Sequence, residues 1–145
     1  MGPLKYFLGI EVAQGPKGLF LCQQKHALEI MDECGLLRSN PIDSPIEENH
    51  KLALAGGALI ADATQYRQLI GRFIYLTITY SQLSYVVHVL SQFMQRPKVE
   101  RFNVVRRVFW YLKDDPDLGI MLHFDATLQA YAYCDYDWGA YPLTR

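Results

Sequence analysis

The sequence predicts an α+β fold, with a β-hairpin at the N-terminus, a helical middle and a β-ribbon at the C-terminus. Three observations carry that expectation. Strand formers flank a Gly/Pro-rich turn within residues 4–22. Apolar residues recur at helical spacing in three successive stretches between Tyr66 and Lys113. After a proline break at Asp114-Asp115-Pro116-Asp117, strand-like patterning resumes.

Leu4 to Val12 holds the strand formers Tyr6, Phe7, Leu8, Ile10 and Val12. Gln14-Gly15-Pro16-Lys17-Gly18 clusters turn formers, and Leu19-Phe20-Leu21-Cys22 resumes the apolar run, so the unit reads as a hairpin. Ala27, Leu28, Ile30, Met31 and Cys34 then have helical spacing, with Gly35 placed as a C-terminal stop. Asn40-Pro41 and Ser44-Pro45 mark an extended connector, because the residue before a proline is pushed out of helical geometry. From there to Ala61 periodicity is lacking and Gly56-Gly57 intervenes. A loop or partly mobile linker is expected.

Asp62, with Gln65 three residues later, forms a capping pair for the first central helix. Tyr66, Leu69, Ile70, Phe73, Ile74 and Thr77 then fall on one helical face. Ser81 is placed to cap the second helix, whose face is Leu83, Val86, Val87, Leu90 and Met94; Arg96-Pro97 ends it. The third runs to about Lys113 and is expected to bury Phe102, Val105, Val108, Phe109 and Leu112. Short connections imply antiparallel neighbours. Beyond the proline break, residues 119–124 and Leu128 to Asp135 read as two strands around a turn at Asp125-Ala126-Thr127. Such a ribbon is marginal alone.

Charge is unevenly distributed. Residues 66–113 hold eight of the fourteen Lys and Arg but a single acid, Glu100, for a local charge of +7. The residues before them sum to −3 and those after to −5, so the formal net charge of −1 conceals the contrast. A basic middle points to a polyanionic partner, nucleic acid first. On charge alone, a solvated face on an ordinary helical core accounts for the bias equally well.

The 145 residues suffice for one domain or two incomplete ones, and a composition of 50% apolar and 20% charged residues is ordinary for a globular protein. No apolar run reaches the ~18 residues of a membrane span, and no signal peptide is evident, which leads to the expectation of an intracellular protein, cytoplasmic or nuclear. Cys22, Cys34 and Cys134 are odd in number and lack a Cys-x-x-Cys pair, arguing against a disulfide framework or zinc site. His26, His50, His88 and His123 are equally scattered, which suits structural roles.

Five segments in register carry a resemblance. They are residues 2–12, Tyr66-Arg67-Gln68-Leu69-Ile70-Gly71 with Tyr75-Leu76, Leu90-Ser91-Gln92-Phe93-Met94, residues 107–113, and Tyr133-Cys134-Asp135-Tyr136-Asp137-Trp138 followed by Pro142-Leu143-Thr144-Arg145. Together they resemble copia-type retrotransposon reverse transcriptases, from just beyond the polymerase active site to the start of the ribonuclease H domain. No single motif is strong; five in order over nearly the whole chain are. The resemblance divides the chain into a primer-grip-like hairpin plus helix (1–45), a linker (46–61), a thumb- or connection-like helical region (62–115) and a truncated start of a ribonuclease H-like domain (116–145). Departures occur at Tyr80-Ser81-Gln82, Arg101-Phe102 and Gly139-Ala140, where the family usually has Arg-Pro-Asp, His-Trp and Ala-Gly. They fit a copy no longer held to its parent's function, or a divergent active element.

Nucleotide addition uses carboxylates that hold two metal ions roughly 3.5–4 Å apart. The resemblance implies that these acids, which bind Mg2+ in the parent family, lie in an upstream palm domain. No Tyr-x-Asp-Asp occurs in the sequence, and Asp114-Asp115 reads as a helix-ending turn. Asp135 resembles the first ribonuclease H metal ligand, with Asp137 two residues on, roughly 6.6–6.8 Å along a strand. One carboxylate cannot position two divalent ions, and the resemblance puts the partner acids beyond Arg145. The expectation is therefore a chain with no autonomous catalysis, no cofactor of its own and no small-molecule substrate.

Holding a duplex needs shape and charge but no metal. The resemblance implies that the hairpin, with Tyr6 and Phe7, grips a primer end. It makes Arg67, Arg72, Arg96, Lys98, Arg101, Arg106, Arg107 and Lys113 candidate phosphate contacts with an RNA–DNA or DNA duplex. At least one of Tyr6 and Phe7 is expected to fill the hairpin's buried face instead, and adjacent Arg106 and Arg107 cannot share one surface. Four phosphate contacts would give a log–log salt slope of about −3.6.

Overall fold

The computed structural model describes residues 5–35, 42–47, 52, 56–125 and 132–134. In it the N-terminal apolar run is not one strand but two. β1 (Tyr6–Phe7) turns back at Leu8-Gly9 onto β2 (Ile10–Gly15), with Phe7 opposite Ile10 and Tyr6 opposite Glu11. Both turn residues have positive φ, 48° at Leu8 and 79° at Gly9, as a two-residue hairpin turn matched to strand twist requires. β3 (Gly18–Cys22) then pairs with β2 around Pro16-Lys17.

α1 (Gln24–Glu33) follows directly. The Glu11 carboxylate on β2 accepts the Lys25 amide at 2.9 Å, satisfying a free donor in the first turn of the helix. Gly35 ends it at φ +66°, with its amide on the Asp32 carbonyl.

The helical middle consists of α2 (Thr64–Leu76), a 3₁₀ turn at Ser81–Leu83, α3 (Ser84–Ser91) and α4 (Val99–Leu112). The Asp62 carboxylate accepts the Thr64 amide at 2.8 Å, a local turn bond in place of the expected pairing with Gln65. These bonds from Thr64 hold the Asp62 carboxyl below its ordinary pKa. Ser81 makes no side-chain cap. α2 buries Tyr66, Leu69, Ile70, Phe73 and Leu76, whereas Ile74 of the expected face is 48% exposed. Phe73 meets Phe109 of α4 with centroids 4.9 Å apart. Burying one such ring stabilises by roughly 1.5–3 kcal/mol. α3 contributes Val86, Val87, Val89 and Leu90, and α1 contributes Ala27, Ile30 and Met31 to the same core. The buried Tyr66 hydroxyl donates to the Leu90 carbonyl at 2.8 Å, tying α2 to α3.

The described parts of the connector and expected linker make several contacts with the helical unit. The Ile42 amide donates to the Trp110 carbonyl, Ile46 packs on the core, and Leu52 is buried. Further on, Leu59 forms an antiparallel bridge with Lys98, flanked by amide bonds from Ile60 to Pro97 and from Val99 to Ala58.

β4 (Gly119–His123) pairs antiparallel with β3, Cys22 opposite Gly119 and Gly18 opposite His123, to give one sheet in the order β1-β2-β3-β4. The expected β-ribbon partner at Leu128 to Asp135 lies largely outside the described residues; Ala132–Cys134 have no regular structure. The two strands of the β3–β4 pair approach closely. A Cβ on Gly18 would lie 2.1 Å from the Leu122 carbonyl oxygen, and one on Gly119 2.2 Å from that of Leu21. No described helix is long and apolar enough to cross a membrane.

Candidate nucleic-acid interface

The six arginines of the middle separate into two groups. Three are engaged within the chain. The Arg72 guanidinium on α2 pairs with Glu33 on α1. Arg107 on α4 donates from Nε to the Ser44 carbonyl at 3.1 Å and from Nη1 to Glu47 at 3.3 Å. Arg101 is 7% exposed; it donates to the Leu52 and Arg96 carbonyls while its guanidinium lies 3.7 Å from the Phe93 ring centroid. Its assignment as a phosphate contact is thereby corrected: the sequence stripe Arg101, Val105, Val108, Leu112 is the buried stripe of α4, and the arginine lies on it. Two of these three pairings join the basic middle to acids of the preceding flank, so part of the charge contrast is intramolecular complementarity.

Three arginines point outward. Arg67 is exposed in the first turns of α2, donates to the Thr64 hydroxyl at 3.5 Å and lies near enough to Asp62 to help lower its pKa. Arg96 is exposed between α3 and α4. Arg106 is exposed on α4 with its guanidinium 5.6 Å from the Phe102 ring, which in turn lies 6.3 Å from Tyr66 at the α2–α4 crossing. Arg106 and Arg107 diverge around α4, as adjacent residues roughly 100° apart must. Lys113 follows Arg106 by two helical turns on the same flank and, like Lys98, is half-buried.

Tyr6 and Phe7 are 53% and 57% exposed, so neither fills a buried hairpin face, contrary to expectation. The turn beside them is held by a residue that sequence reasoning did not single out. The Tyr75 hydroxyl donates to the Leu8 carbonyl, and a Cβ on Gly9 would stand 3.0 Å from that hydroxyl oxygen. Edge-on to Tyr75 lies His26 of α1, centroids 5.4 Å apart and planes at 82°. Burial pushes the His26 pKa below its ordinary value, and Arg72 acts in the same direction against Glu29 and Glu33. The available signal was an aromatic residue off the buried stripe of α2, inside the Tyr75-Leu76 motif.

Asp135 and Asp137 lie outside the described residues. Asp114 and Asp115 occupy a turn after α4, with the Leu118 amide on the Asp115 carbonyl. A hydrogen bond with Asp117, reinforced by burial and by the neighbouring carboxylates, holds the Asp115 carboxyl above its ordinary pKa. Among the described residues no three His, Cys, Asp or Glu side chains converge as metal ligands.

Over most of its length the chain is homologous to one segment of retrovirus-related Pol polyproteins from transposons. It is 40% identical to the Pol polyprotein from transposon RE2 of Arabidopsis thaliana and 38% identical to that from transposon RE1, each over 93% of this chain. It spans 9% of either polyprotein. An uncharacterized mitochondrial protein of the same plant is 34% identical over the whole chain, which covers 60% of that protein. No family model matches, and no solved structure does.

Proposed function

We propose that this chain is a transposon-derived segment that holds a nucleic-acid duplex and carries no polymerase or ribonuclease H chemistry by itself. The observation that supports it best is the outward set Arg67, Arg96 and Arg106 in a stretch whose single acid is Glu100. Exposed guanidinium groups attract phosphates and release their counterions on binding. The exposed Tyr6 and Phe7 offer flat faces to sugars or bases. In an intact parent protein the acids that hold Mg2+ for synthesis would come from the palm domain.

Filter binding of an RNA–DNA hybrid across a salt series tests this reading. With three to five phosphate contacts the log–log slope falls between roughly −2.7 and −4.5. A flat response overturns the duplex-holding role, and Mg2+-dependent primer extension or RNA cleavage by the purified chain overturns the absence of catalysis.

A further inference from the structure

We infer that Tyr75 is a positioning residue that fixes the Leu8-Gly9 turn on α2, and so fixes where Tyr6 and Phe7 stand relative to that helix. The inference rests on the duplex-holding reading above and names a residue outside its contact set. Three features converge on Tyr75. Its hydroxyl donates to the Leu8 carbonyl at the apex of the turn. The turn leaves only a glycine hydrogen against the ring, since a Cβ at Gly9 would sit 3.0 Å from Oη and 3.5 Å from Cε1. The His26 ring, at 82° to that of Tyr75, limits its swing on the side of α1.

The turn needs such a clamp. β1 has two residues, and a hairpin that short is marginal by itself. Leu8 sits at φ 48°, a left-handed conformation that is unfavourable for a side-chain-bearing residue. Leu8 is also 74% exposed, so burial does not hold it there. Beyond the turn, the Val12 amide donates to the Lys5 carbonyl at 3.0 Å, which closes the hairpin base. The tip is therefore held from outside, by the helix, and Tyr6 and Phe7 inherit their position from it.

Tyr75→Phe in the full chain tests the clamp, because it keeps the ring and removes one hydroxyl. With a labelled RNA–DNA hybrid as probe, binding weakens roughly threefold to tenfold, the equivalent of one net hydrogen bond. The salt slope is unchanged, since no phosphate contact is lost. In a Tyr6→Ala, Phe7→Ala background the same substitution produces no further loss; additive losses, or wild-type affinity in Tyr75→Phe, overturn the inference. Hydrogen exchange supplies a readout independent of binding: protection of the Val12 amide falls in Tyr75→Phe while that of the Ala27 amide in α1 holds. If the unaltered chain fails to bind the hybrid, the duplex reading fails by itself, and unchanged Val12 protection overturns the clamp.

Discussion

The guanidinium carbon of Arg101 lies 3.7 Å from the Phe93 ring centroid, while its nitrogens reach the carbonyls of Leu52 and Arg96. A charge taken this far from water is stable only with such partners. Removing it leaves two carbonyls short of a donor and one ring without its cation. Arg101→Leu is expected to lower stability by about 2–4 kcal/mol, read as a fall in the urea midpoint at unchanged m value. The same variant leaves the salt slope of duplex binding where it was.

Arg106 gives the opposite pattern. Exposed above Phe102, it contributes on the order of 0.5–1 kcal/mol to stability. Arg106→Ala should make the log–log salt slope shallower by about 0.9 and weaken binding without regard to sequence. Arg72→Ala, which removes a partner of Glu33, costs under ~1 kcal/mol and leaves the slope unaltered.

His26 makes stability depend on pH. Burial favours its neutral form, so the folded pKa lies below the ordinary value of 6.5 and the unfolded chain binds the proton more readily. The contribution is complete above pH 6.5 and is lost as pH falls through the folded pKa. A melting series from pH 7.5 downward should show this decline, and His26→Phe, which keeps an aromatic edge toward Tyr75, should remove that part of it.

The β3–β4 pair has no room at its two glycines. Gly18→Ala is expected to cost about 2–3 kcal/mol, since the added carbon meets the Leu122 backbone rather than a yielding side chain. Amide exchange in residues 119–123 should accelerate far more than exchange in α2.

Much of this architecture was legible locally. The 3.6-residue period located α2 and α4 because Tyr66, Ile70 and Phe73, or Val105, Val108 and Leu112, meet one core. Where long-range packing decides, the pattern misled. Leu76 and not Ile74 is buried because the neighbours of α2 lie on that flank. The Leu8-Gly9 turn was hidden because leucine gives no sign of a left-handed backbone; only the contact with Tyr75 accounts for it. Of the candidate site, the adjacency of Arg106 and Arg107 foretold that they diverge. The inward turn of Arg101 was visible as a basic residue in phase with valines, but the charge census alone read it as surface.

The pairing of β3 with β4 has a consequence for biosynthesis. At roughly 5–20 residues per second, the hairpin leaves the ribosome on the order of 5–20 s before its fourth strand exists. Throughout that interval one edge of β3 offers unmatched amides and carbonyls to any extended neighbour. The nascent chain is thus most prone to mispairing before Gly119 has been translated, and an early stop codon would prolong that state indefinitely.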